Sequence, residues 1–422
     1  MIVPVAPEET DVAAAEDEEP AGALDALTVL DLSQGVAGAF ATKLFADYGA
    51  RVIKVEKPGA GDPTRRHGPF PADVPHPERS ALFLYLNTNK LSVTLDYTTP
   101  TGAAILRRIL EDCDGVVEDY PTLRRDDLGL GFDELVKAMP RLVVTQVSAY
   151  GATGPYASRP WTNLTAFAAG GQMAMCGDPD REPLLAGGYQ AEYQLGLHAW
   201  AATLGALWNA AQTEHGQLVD VGAMEAMATT LELSLSNYLY RHRPGVEAPA
   251  ESPFLAGPQR RGNAQSAAIG LYPCADGYVG VHAMARQIPA LMSLIGVDDA
   301  ALGEDRLRRN DELAAHIYAW AAEVTKHEAY RLAGEHRAPL AFVHDMKDLV
   351  ESEHLRYRRA IREVEHPEAG VLSYPRGPFE MTGASWKEGR APLLGEHNVE
   401  VLCGLAGLER KDLPVLRAAG VI

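Results

Sequence analysis

Four cations share one Gly/Pro loop of an otherwise acidic chain: "KPGAGDPTRRHGPF" holds Lys57, Arg65, Arg66 and His67. Guanidinium and ammonium groups gathered in this way suit a ligand that bears phosphates, with a solvated loop tip as the plain alternative. Just upstream, "SQGVAGAF" places Gln34, Gly35 and Val36 at a glycine turn before a helix start, where free backbone amides bind anions. Glu56 closes the next strand and is placed to hold a ribose hydroxyl, but the third glycine of a dinucleotide fingerprint is missing, which argues against a nicotinamide. "LNTNKLSVTLD" adds Asn87, Asn89 and Lys90 before a strand, polar groups that could read an adenine or a phosphate or simply make a turn. A further stretch, "RPWTNLTAFAAGG", sets Asn163 at the start of an apolar run. His198, in the apolar helix "EYQLGLHAWAATLGALW", has no metal-ligand spacing around it and reads as a core residue rather than a base.

What the sequence lacks narrows the chemistry. There is no G-x-S-x-G, no P-loop and no H-E-x-x-H, so hydrolase, nucleotide-kinase and zincin readings are without their machinery. Asp and Glu number 57 against 38 Lys and Arg, a formal charge of −19 that opposes binding to nucleic acid or to an anionic membrane. Cys113, Cys176, Cys274 and Cys403 lie far apart, so neither a metal site nor a disulfide framework is expected. No apolar run reaches the roughly 20 residues of a spanning helix. The first residues carry Glu8, Glu9, Asp11, Glu16, Asp17, Glu18 and Glu19 where a targeting signal would carry Lys or Arg, and the reading is a cytoplasmic protein with a disordered acidic arm over 1–25.

The elements that must position these groups follow from periodicity. "ALTVLDLS", the glycine turn, "AFATKLFADYGA" and "RVIKVEKPG" spell strand, turn, helix, strand, and the pattern repeats through "LSVTLDY", "PTGAAILRRILEDC", "GVVEDY", "GFDELVKAMP" and "RLVVTQVSAYG". The fold class is α/β: a doubly wound, Rossmann-like parallel sheet, followed by a smaller α+β domain. An Ala/Gly/Leu-rich stretch over 162–211 predicts buried helices, "PGVEAPAESPFLAGPQRRGNAQS" a crossing or active-site loop, and "IGLYPCADGYVGVHA" a hairpin around Asp276-Gly277.

Taken together and in order, "VLDLSQGVAGAFATKLFADYGARVIKVEKPGAGDPTR", "NKLSVTLDYTTPTG", "DDLGLGFDEL", "YGATGPYASRP", "GQLVDVGAMEA", "RRGN", "YPCADGYVGV" and "APLLGEHNVEVL" resemble the class III CoA-transferases, a family that also holds α-methylacyl-CoA racemases. The resemblance implies a large CoA-binding domain over 26–225, a linker and small domain over 226–350, a return to the large domain over 351–422, and two interlocked subunits. It implies no tightly bound cofactor, with CoA and acyl-CoA as substrates, a carboxylic acid as acceptor, and a homodimer or a heteromer with a related subunit. CoA would lie against Gln34, Gly35, Val36, Lys57, Arg65, Arg66, Asn87, Asn89 and Lys90. Leu91 and Pro121-Thr122-Leu123 depart from the family pattern, which has a second cation and an Arg-Pro-Gly turn there.

The transferases resembled place a nucleophilic aspartate where this chain has Asn163, and an amide, whose nitrogen lone pair is delocalised and whose oxygen bears no full charge, cannot attack a thioester. The racemases use a histidine one position earlier, here Thr162, and a later carboxylate, whose counterpart is Glu192 of "YQAEYQLG". Three readings follow: a CoA-transferase with a rearranged site in which Glu192 supplies the carboxylate; a non-catalytic subunit of a heteromer whose partner brings the aspartate; or an acyl-CoA racemase or CoA-binding protein without turnover. Trp161, Phe167, Met173, Met175 and Tyr193 are candidates for apolar surface near the acyl group, and equally for core.

Overall fold

The computed structural model describes residues 21–119, 128–177, 181–241, 268–298 and 306–422. Most of the acidic arm, the Pro121-Thr122-Leu123 turn and the crossing over 244–266 lie outside them. By contact the chain divides into two units, one of residues 1–148, 196–221 and 363–422, the other of 149–195 and 222–362.

The first unit is built on β1 (Thr28–Asp31), β2 (Arg51–Glu56), β3 (Leu91–Thr94), β4 (Gly115–Glu118), β5 (Val143–Ser148) and β6 (Leu218–Gly222), in the order 3-2-1-4-5-6. The pairs β1·β2, β2·β3, β1·β4 and β4·β5 are parallel, with Asp31 opposite both Lys54 and Val117. The helices α1 (Ala37–Asp47), α2 (Ala81–Leu86), α3 (Pro100–Leu110) and α4 (Phe132–Ala138) connect the strands. Successive strand residues point to opposite faces, and both faces are apolar. Leu30, Ile53, Val116 and Val144 pack on α3 together with Val401, Leu402, Leu413 and Ile422 from the far end of the chain. Val29, Val52, Val117 and Val143 pack instead on Phe45 of α1 and on Ala206 and Leu207. The sheet is thus covered by both ends of the sequence, and the order reverses direction between β1 and β4, the kind of switch point at which open α/β sheets bind ligands.

The second unit opens with α5 (Asn163–Ala169), and the chain re-enters the first unit partway along α6 (Gln190–Thr213). Residues 149–195, expected in the large domain, group here because Met224 N–H bonds to Ala149 O and because Gly170 lies so close to Met227 that a Cβ would sit 2.2 Å from that residue's Cβ. A three-stranded antiparallel sheet, β7 (Ile269–Cys274), β8 (Gly277–His282) and β9 (Leu340–Phe342), packs on helices Ile288–Ile295, Arg306–Glu323 and Lys326–His336. The hairpin read around Asp276-Gly277 is present, with Cys274 paired to Gly277 across the turn.

The return of the chain to the first unit is a two-stranded ribbon, β10 (Ile361–His366) and β11 (Gly370–Pro375), whose Val364 and Tyr374 pack on Phe83 and Leu84 of α2. His366, 2% exposed, accepts from Glu368 and Ala369 amides through Nδ1. Burial, aided by the Arg390 cation, holds its pKa below the ordinary 6.5. The unfolded chain therefore binds a proton that the folded ribbon refuses, and stability is lost as pH falls through that value. Thermal midpoints between pH 7 and pH 5 should fall less steeply for His366→Asn, which keeps an acceptor and does not titrate, than for the native chain.

Candidate functional site

Three segments of the first unit meet through their side chains: the turn after β1, the loop after β2 and the segment that leads into β3. The glycine turn after β1 presents Gln34, which is exposed, and Gly35, whose φ of +86° favours glycine and whose missing Cβ faces open space. Gly38 serves a different need: a Cβ there would lie 2.2 Å from Ser33 Cβ, so glycine alone lets α1 start against its own turn. The Gln34 amide donates to Asp119 Oδ2 at 2.7 Å. Burial pushes the Asp119 carboxyl up to about 7, even against that hydrogen bond.

The cations read as phosphate ligands fall into two groups. Lys57, Arg66 and His67 are exposed on the loop after β2. Arg65 is fully buried: Nε and Nη2 donate to the two oxygens of Glu56 at 2.7 and 2.8 Å, Nη1 to Glu78 Oε2 at 2.5 Å, and the guanidinium lies 3.7 Å from the centre of the Phe83 ring. Lys90, 3% exposed, spends its three donors on Asp31 Oδ2 (3.0 Å), Ala39 O (2.8 Å) and Asn87 Oδ1 (2.9 Å). Asn87, itself buried, donates to Phe83 O. Asn89, with φ +64°, ties to Asp47 and to the segment 387–390. Glu56 is likewise committed, accepting from Arg65, from the Asp62 amide and from Ser92 Oγ, so the ribose role suggested for it is occupied by protein.

Lys54 and Asp31, which sequence reasoning passed over, form the centre of this arrangement. Lys54 Nζ lies 2.9 Å from Asp62 Oδ2, 3.5 Å from Asp31 Oδ2 and 3.0 Å from Ser33 O. Burial opposes ionisation of Asp31, yet Lys54 and Lys90 hold its carboxyl far below the usual range. The signal was legible: a lone Asp and a lone Lys inside the apolar strands "TVLD" and "RVIKVE" must find each other when the strands are buried on both faces.

In the second unit, Asn163 opens α5 behind a capping box in which Thr162 and Thr165 exchange hydrogen bonds. Its side chain, in a residue 9% exposed, bridges to the start of α6. Oδ1 accepts from the Ala191 amide at 3.0 Å and the Glu192 amide at 3.4 Å, and Nδ2 donates to Gly188 O at 3.1 Å. The structure thus brings together Asn163 and Glu192, the two residues singled out. Glu192 lies in the first turn of α6, where the helix field favours a carboxylate, and with burial it pushes the Tyr193 hydroxyl up. Phe167 is core, 1% exposed, whereas Trp161, Met173, Met175 and Tyr193 are half-buried. Among the described residues no group of three or more His, Cys, Asp or Glu side chains could hold a metal, and no helix is long and apolar enough to cross a membrane. Cys113, Cys176, Cys274 and Cys403 are free thiols.

Comparison with known proteins adds the family context. A sequence profile of CoA-transferase family III matches residues 24–398. Succinyl-CoA--D-citramalate CoA-transferase of Chloroflexus aurantiacus is 30% identical over 427 residues, covering 96% of this chain and 99% of its own. Succinyl-CoA:(R)-benzylsuccinate CoA-transferase subunit BbsE of Thauera aromatica is 31% identical, covering 91% and 95%. Among solved structures, a CAIB/BAIF family protein from Brucella suis superposes with a TM-score of 0.77 at 26% identity, over 92% of this chain and 100% of that one. A hypothetical protein from Mycobacterium tuberculosis superposes with a TM-score of 0.74, also at 26% identity, over 90% and 99%.

The hydrogen bonds of Asn163 set its response to substitution. Asn163→Ala leaves the Ala191 amide and Gly188 carbonyl short of partners and should cost roughly 1–3 kcal/mol, read by urea unfolding. Asn163→Asp keeps both acceptor bonds but sets a second oxygen against Gly188 O in place of the donor, so it should also destabilise, by an amount that grows as pH rises through the carboxylate range.

Proposed function

The chain belongs to CoA-transferase family III and is a CoA-transferase-like enzyme, and from that we propose that it moves CoA from a succinyl-type thioester to a second carboxylic acid with Glu192 as the attacking carboxylate. The observation that carries this reading is the 3.4 Å hydrogen bond from the Glu192 amide to Asn163 Oδ1, which keeps a carboxylate-bearing residue beside the position where the family aspartate stands. A Glu192 oxygen attacks the thioester carbon, the C–S bond breaks, and CoA leaves as thiolate, giving a mixed anhydride. The thiolate then attacks the glutamyl carbonyl, releasing the donor acid and leaving CoA on the enzyme. The acceptor carboxylate repeats the exchange in reverse, takes the CoA, and restores Glu192. Of the two amide hydrogens on Asn163 Nδ2, one serves Gly188 O, and the other is available to polarise the thioester oxygen.

Lys57 and Arg66, exposed cations of the loop after β2, take the CoA phosphates. Relatives named for citramalate and benzylsuccinate support a dicarboxylic acid in that role, and those same names support succinyl-CoA as donor. The setting proposed is cytoplasmic. One observation favours a second arrangement: the Thauera aromatica relative is named as a subunit. In that arrangement this chain would bind CoA in a heteromer whose other chain brings the aspartate.

Transfer by the purified chain, with succinyl-CoA against a panel of dicarboxylic acids and product thioesters read by mass, tests the reading. Turnover is expected without a partner, and Glu192→Gln should lower it roughly a thousandfold. Turnover that survives this substitution intact would remove Glu192 from the mechanism, and turnover that needs a second related chain would replace the first arrangement with the heteromer.

A further inference from the structure

We propose that Lys54, Lys90 and Asp31 are positioning residues that fix the glycine turn from beneath, with Asp119 clamping it from the side, so that Lys90 serves CoA through the turn and not by touching its phosphates. The proposal rests on the CoA reading of that turn. Asp31 Oδ1 accepts from Ser33 N at 3.0 Å and from Ser33 Oγ at 2.5 Å, Lys54 Nζ donates to Ser33 O at 3.0 Å, and Lys90 Nζ donates to Ala39 O at 2.8 Å, at the start of α1. Thr42 Oγ1, one turn further along α1, donates to Asp31 Oδ2 at 2.8 Å. Asp119 takes the Gln34 amide from the β4 side. Between these fixed points lie Gln34 and Gly35, the part of the turn that faces outward.

Three features separate positioning from direct contact. Lys54 and Lys90 are 0% and 3% exposed, and the three donors of Lys90 are all spent inside the protein. Gly35 holds φ at +86°, a conformation that a loosened turn would leave for its other wells. Finally, Lys54 and Lys90 share one oxygen of Asp31, so the carboxylate joins β1, β2 and the residue before β3 to the turn in one ionic unit. Removing a single cation uncouples the strands from the turn.

The test compares Lys90→Met and Asp119→Leu with Arg66→Gln, the last removing an exposed cation that the proposed function assigns to phosphate. Backbone amide exchange of residues 33–39 reads the turn directly and needs no ligand: Lys90→Met and Asp119→Leu should speed it about tenfold, Asp119→Asn should restore the native rate, and Arg66→Gln should leave it unchanged. Kinetics then separate the roles. With succinyl-CoA, all three variants should raise KM about tenfold with kcat nearly unchanged. Arg66→Gln thus raises KM while exchange stays native, whereas in Lys90→Met and Asp119→Leu the rise in KM accompanies faster exchange of the turn. Native exchange rates in both Lys90→Met and Asp119→Leu, or a KM that rises in Lys90→Met while its exchange stays native, would overturn the proposal. If the native chain fails to bind CoA, the CoA reading falls, while the exchange data still decide whether these residues set the turn. Should Lys90→Met not fold, the Asp119 pair carries the comparison.

Discussion

The first unit depends on one buried carboxylate. Asp31 ends β1 at the point where the chain must leave the sheet, and its two oxygens receive the turn's own Ser33, the first helix's Thr42, and ammonium groups from β2 and from the segment leading into β3. A charge so placed is costly unless every partner is present, and losing one partner of such a pair typically costs about 3–5 kcal/mol, because the other is left uncompensated. An apolar substitute of similar volume could match the packing but not the geometry: only an acceptor with two oxygens can hold the turn, the helix and two neighbouring strands at once. The cluster is better understood as a device that specifies one conformation of the turn than as a source of net stability.

The same logic explains which parts of the molecule could be read from sequence. The short, mostly apolar runs in "TVLDLS", "RVIKVE" and "RLVVTQVS" sufficed for a buried parallel sheet, because burial on both faces leaves its mark in every strand. Exposure of a loop cation leaves no such mark. Arg65 and Arg66 are adjacent, yet one is buried against Glu56 and Glu78 while the other is exposed, and Lys90 finds Asp31 across 59 positions of sequence. Pairings of that range are set by strand order, which local patterns do not carry. The grouping of 149–195 was hidden for a related reason: an Ala/Gly/Leu-rich helix can bury its faces in either unit, and what decides is the close approach that Gly170 allows.

Asn163 is where sequence and structure inform each other most. The resemblance read in the sequence sets an amide at the position expected for an attacking aspartate, an expectation under which Asn163 counts as a loss. The structure shows what the amide does: it accepts from two helix amides and donates to a carbonyl, a combination that needs an oxygen on one side and an N–H on the other. A carboxylate could meet the two helix amides equally well, but its second oxygen would face Gly188 O, 3.1 Å from the present nitrogen, with no hydrogen between them. The loop before α6 is therefore arranged for an amide at 163. That consistency reaches Glu192, whose amide nitrogen is one of the two donors, so the carboxylate proposed to attack sits on a residue whose backbone Asn163 holds in place.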